Sequence, residues 1–65
     1  MKLNRDKIKI LMARNCLTVT KLAENYGVSR IRMNVILNQQ EVTPICAGRV
    51  AKALDCDVTE ILEEG

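Results

Sequence analysis

Histidine, tryptophan and phenylalanine are absent from this chain of 65 residues, and Tyr26 is the one aromatic side chain. Each absence excludes something. Without histidine, general-base chemistry near neutral pH loses its usual agent, and a cysteine nucleophile loses its usual activator. One tyrosine is a poor set of stacking platforms, which argues against a single-stranded nucleic acid binder. No apolar run approaches the roughly 18 residues a membrane span needs. The first residues, Met1 to Lys9, are charged rather than an apolar export signal, so a cytoplasmic chain is expected. Cys16, Cys46 and Cys56 are odd in number and match no zinc spacing. They read as free, buried thiols in a reducing compartment, and neither metal nor other cofactor is expected. A chain this short buries only about 60% of its unfolded surface, which leaves one core and no catalytic chamber. An enzyme is not expected, and residues 1–65 read as a single domain.

What is present is an uneven charge. The net charge is only +2, but residues 1–32 carry eight basic side chains against two acids, and residues 33–65 carry two against six. The halves are therefore +6 and −4. Such asymmetry points either to a polyanion on one side or to a lopsided solvated surface.

Capping signals divide the chain into short helices. Asn4 is an N-cap, with Leu3 and Ile8 at hydrophobic-staple positions, and helix 1 is expected over 5–14. Thr18 caps a second helix over about 19–26, with Leu22, Ala23 and Tyr26 on one face, and Gly27 closes it in the left-handed conformation. Ser29 opens helix 3, about 30–37, followed by a polar loop Asn38-Gln39-Gln40. Thr43-Pro44 starts a fourth helix that runs to about Leu54, with Ala47, Val50, Ala51 and Leu54 inward. Gly48 inside it suggests the close approach of another helix. Asp57 and Glu60 fit a capping box for a fifth helix over 58–63. No segment alternates as a strand does.

Two short helices joined by Gly27-Val28-Ser29 have the layout of a helix-turn-helix. Ala23 is small where the helices cross, and Val28 is apolar in the turn. The run from Leu17 to Arg30, with Leu22-Ala23 and Gly27-Val28-Ser29, resembles the Cro/C1-type (XRE-like) helix-turn-helix of phage repressors and related bacterial regulators. Thr43-Pro44, Val50 to Leu54, Val58 and Ile61-Leu62 resemble the fourth and fifth helices of that family. The resemblance spans about Ile8 to Leu62 and implies an all-α, five-helix lambda-repressor-like fold that binds duplex DNA. The chain also departs from the family. Val19 stands where the family usually has a Gln that braces phosphate and base contacts. Met12 and Leu37 stand where many members pair an Arg with a Glu, so an apolar contact replaces an ion pair. Gln39 stands where the family has a Gly after helix 3, so Asn38 is expected to take the left-handed conformation.

On a helical wheel Met33, Ile36 and Leu37 face the core, and Ile31 and Val35 lie opposite, flanked by Arg32 and Asn34. An outward β-branched pair fits thymine methyl groups in a major groove, although scattered exposed apolar residues are also ordinary. Arg30 is placed to read guanine or to grip a phosphate, and Asn34 to pair with adenine. The expected base-contacting set is Arg30, Ile31, Asn34 and Val35. The expected phosphate-contacting set is Thr18, Val19, Lys21, Arg14, Arg32, Gln39 and Gln40. Thr18 adds free helix amides to its hydroxyl.

The reading is a sequence-specific transcriptional regulator, repressor-like and homodimeric, because one module buries too little surface for tight operator binding. The family often dimerises near the last helix, here Asp55 to Leu62. No small-molecule effector is evident. The alternative is a protein-interaction module, an antirepressor or antitoxin-like subunit that binds a protein partner through the Ile31–Val35 ridge. A third reading is a fragment of a longer repressor, although Met1 and a helix ending near Glu63 fit a complete domain.

Overall fold

A computed structural model describes residues 1–39 and 41–63. Its four α-helices are α1 (Arg5–Arg14), α2 (Val19–Tyr26), α3 (Arg30–Asn38) and α4 (Pro44–Ala53), followed by a single 3-10 turn, Val58–Glu60. Every entry is capped by the residue its local sequence selects. Asn4, Thr18, Ser29 and Thr43 each accept from the amide three residues on. Asp57 accepts from Thr59, while Glu60 reaches back to the Asp57 amide at 3.1 Å. That satisfies donors a helix would otherwise leave unpaired.

Three exits share one geometry. Cys16 (φ 54°), Gly27 (φ 97°) and Asp55 (φ 58°) are left-handed. The residue after each donates back to the last turn: Leu17 to Met12 O, Val28 to Ala23 O and Cys56 to Ala51 O. These are Schellman closures, and only the middle one has the glycine that makes the conformation easy.

The core is one cluster running from Leu3 to Ile61. Leu22, Met33, Leu54, Ile61 and Val50 are fully enclosed, and no polar or charged residue is buried among the described residues. The second helix packs on both α3 and α4, and α4 on the 3-10 turn. Ala23 is buried at the α2–α3 crossing, and Val28 packs into the turn. The ends of α1 and α2 are tied to the end of α4. Asn15 donates to Leu54 O at 3.0 Å and Asn25 to Ala53 O at 3.3 Å. Those carbonyls lack partners within the helix, so the two amides act as C-terminal caps supplied from elsewhere in the fold.

Several expectations are corrected. The fifth helix over 58–63 is one 3-10 turn, because residues 61–63 pair with the N-terminal segment instead. Asn4 N donates to Ile61 O, Glu63 N donates to Lys2 O, and Leu3 bridges Leu62 in antiparallel fashion. On the other side, Met1 and Val42 exchange two hydrogen bonds. Helix α3 runs one residue further than expected. Asn38 is its last residue and is not left-handed, because its side chain donates to Asn34 O at 2.8 Å and accepts from Arg5 at 2.7 Å. Nothing lies within 4 Å of where a Cβ on Gly48 would sit, so no helix approaches closely there. The cysteines are free but not buried: Cys16 is exposed, and Cys46 and Cys56 are half-buried. Among the described residues no helix is long and apolar enough to cross a membrane.

Candidate nucleic-acid interface

The second and third helices are joined by the three-residue turn Gly27–Ser29, and the shared core fixes their angle. Met33 and Ile36 anchor α3 from beneath, with Leu37 half-buried beside them. The opposite face is open. Ile31 is 78% exposed and Val35 45%. With Asn34, Asn38 and Gln39 they line one shallow, open surface. The outward ridge expected at Ile31 and Val35 is therefore present.

The flanks of α3 differ. On one side it meets α1 and the start of α2 across a groove that holds Met12, Val19, Asn34 and Leu37, with Arg5, Asp6 and Lys9 also lining it. Met12 and Leu37, the two apolar substitutes for the family's ion pair, thus share one groove and pack on the core. On the other side lie Tyr26 and α4. The Arg49 guanidinium stacks over the Tyr26 ring at 4.4 Å and donates to Tyr26 O at 3.2 Å. The Tyr26 hydroxyl donates to Cys46 Sγ at 3.5 Å. That bond, then burial, pushes the phenol up, against the opposing charges of Arg49 and Arg32. Asn34 lines the α1 groove, and Arg32, two residues before it on the helix, turns to the other flank.

Among the remaining candidates Arg30, Arg14, Thr18, Lys21 and Gln39 are exposed. Arg30 opens α3 and Arg14 ends α1. Thr18 accepts from Lys21 N with its oxygen, which leaves its hydroxyl proton free to donate to an anion. Neither α2 nor α3 carries an acid in its first turn, so nothing repels an anion from either N-terminus. Lys21 is shared with Glu24 at 3.5 Å, an exposed pair that holds it weakly. Val19 is half-buried in the groove, and only its backbone is suited to a phosphate. Gln39 is exposed, and Gln40 lies outside the described residues.

Sequence reasoning missed two placed cations. Arg49 belongs to the acidic half, and nothing local to α4 signals its stacking on Tyr26. Arg5 was counted only as part of the basic half, and its bond to Asn38 spans 33 residues. Neither pairing leaves a periodic or capping signal.

No curated protein and no solved structure matches the chain. The sequence profile of the Cro/C1-type HTH DNA-binding domain matches over residues 7–63, nearly the whole length. The open α3 ridge, the tight turn held by Gly27 and acid-free helix entries are what such a domain requires, and the chain belongs to the Cro/C1-type helix-turn-helix DNA-binding family.

Proposed function

We propose that the protein is a sequence-specific transcriptional regulator, repressor-like and cytoplasmic, that binds duplex DNA as a homodimer with α3 in the major groove. The observation that carries this reading is the exposure of Ile31 and Val35 on a helix whose other face is locked into the core. Apolar side chains held out on a rigid helix match thymine methyls, and Arg30 and Asn34 beside them supply polar readout. Thr18, the amide of Val19, Lys21, Arg14, Arg32, Gln39 and Gln40 contact the backbone and set the register. One module of this size buries too little surface for tight operator binding, and two copies reading half-sites ~34 Å apart supply the rest. The end of α4 and the 3-10 turn, Asp55 to Leu62, form the dimer contact. Their acids then lie away from the DNA.

Selection from random duplexes tests this, followed by affinity measurement across salt concentrations. A preferred sequence should emerge, with a log–log salt slope on the order of −4 to −8 for a dimer. A flat salt response would instead support a module whose α3 ridge binds protein.

A further inference from the structure

Arg5 and Lys9 lie four residues apart on α1, so they share one helix face one turn apart. Both line the groove between α1 and α3, on the flank occupied by Asn34 and Asn38. Arg5 is fixed rather than free. Its Nη1 donates to Asn38 Oδ1 at 2.7 Å, and Asn38 is itself held by donating to Asn34 O at 2.8 Å. Asn38 also lines the open α3 surface with Ile31 and Val35. The guanidinium is thus attached to the end of the helix that carries the ridge.

A neutral amide accepts from Arg5, so its positive charge is not cancelled. Among the described residues no carboxylate forms an ion pair with it. A guanidinium has five N–H donors, and the bond to Asn38 uses one. Asp6 lines the same groove and reduces the local field, but Arg5 and Lys9 outnumber it. Arg32, two residues from Asn34 on α3, turns toward the opposite flank and is exposed there. A helix in a major groove has a phosphate strand along each side, and α3 has fixed or exposed cations along each side.

We propose that Arg5 and Lys9 form a phosphate-contacting edge for the DNA strand that borders the major groove on the α1 side, with Asn38 as the residue that positions Arg5. This rests on the DNA-binding reading above and adds α1 to the interface. Phosphate contacts carry affinity rather than sequence, and each one releases counterions. Asn38 acts by holding the guanidinium against α3 before DNA arrives, so its removal loosens the contact without removing a charge.

The test measures affinity against salt for the selected duplex and for a random one, in the full chain. Arg5→Ala should weaken both by the same factor, about five- to tenfold, and make the salt slope shallower by about 1 per bound protomer. Arg5→Lys should keep the slope. Lys9→Ala should behave like Arg5→Ala. Asn38→Ala should weaken binding with the slope unchanged, and should add nothing in an Arg5→Ala background. If Arg5→Ala leaves affinity and slope at their wild-type values, α1 is not part of the interface. A loss confined to the selected duplex overturns the phosphate assignment. A loss with an unchanged slope makes Arg5 merely structural. Absence of salt-dependent duplex binding by the unaltered protein is a different failure, and it removes the DNA-binding reading itself.

Discussion

Truncating the two ridge residues of α3 should reveal how the helix reads DNA, and the two should not respond equally. Ile31→Ala removes three carbons from a side chain that is 78% exposed in the free protein. If those carbons become dehydrated against thymine methyls, at about 0.8 kcal/mol per methylene, close to 2 kcal/mol of specific affinity is lost. That corresponds to about 30-fold. Val35→Ala removes two carbons from a side chain that is 45% exposed, so about half of its surface is already dry. The expected loss is near 1 kcal/mol, or about fivefold. Neither change removes a charge, so the salt slope should stay fixed and random DNA should bind as before. Arg32→Ala is the counter-example: it should weaken selected and random duplexes alike and lower the slope by about 1. Specific and non-specific affinities and melting curves for the three variants make the comparison. Unfolding caused by Ile31→Ala would refute the placement of the ridge on the open face. Intact sequence preference after both truncations would refute methyl readout.

Other outcomes follow from the same structure. Leu37→Glu places a lone carboxylate in the groove with Met12, and Met12→Arg should recover much of the loss. Because the groove is half-open and holds Arg5 and Lys9, about 1–3 kcal/mol is expected in denaturant melts rather than the larger penalty of a sealed core. Adding one Cβ to two glycines should act with opposite sign. Gly48→Ala meets nothing within 4 Å inside a helix and should stabilise by about 0.5–1 kcal/mol, whereas Gly27→Ala, at φ 97°, should destabilise by about 1–2 kcal/mol. Thermal melts of the pair decide this. The carboxyl of Asp57 is held below its ordinary range by the amide and hydroxyl of Thr59. A lowered pKa stabilises above the unfolded value, near 3.9, and that stability is lost as pH falls through the lower folded value. The acid limb of the melting temperature should therefore be shallower in Asp57→Asn below about pH 4; identical limbs would show that the cap does not titrate.

The legible parts of this fold are those decided within a few residues. Asn4, Thr18, Ser29, Thr43 and Asp57 were readable as caps because a cap is a side chain reaching an amide two or three positions on. Helix faces were readable from spacing, which placed Met33 and Ile36 inside and Ile31 outside. What local reasoning misjudged is decided by distant partners. Residues 61–63 left the helical path because the N-terminal segment offers them an isolated antiparallel bridge and two backbone hydrogen bonds. Asn38 stayed helical because Arg5, far away in sequence, occupies the oxygen it would otherwise turn on its own backbone. Cys16 and Asp55 took a conformation that favours glycine because closing α1 and α4 at those points returns Leu17 and Cys56 to their helices. Within the interface, the ridge and the α2 cap were legible. The fixing of Arg49 on Tyr26 and of Arg5 on Asn38 was not, since both join helices that no pattern links.

The arrangement separates stability from recognition. The buried set is entirely apolar among the described residues, and the described side chains proposed for base and phosphate contact are exposed apart from Val19, for which only a backbone contact is proposed. Leu37 and Met12 leave the groove on the α1 flank without a charge at either position, so neither depends on an ionic partner to stay in place. With two apolar side chains in that groove, α3 keeps its position through Met33 and Ile36, and its outer residues carry no packing duty. Sequence preference can then change at Arg30, Ile31, Asn34 or Val35 with little effect on folding, because removing an exposed group leaves no cavity and no unpaired buried charge. On the proposed reading, the flanking cations set how tightly any duplex is held, independently of which bases are read.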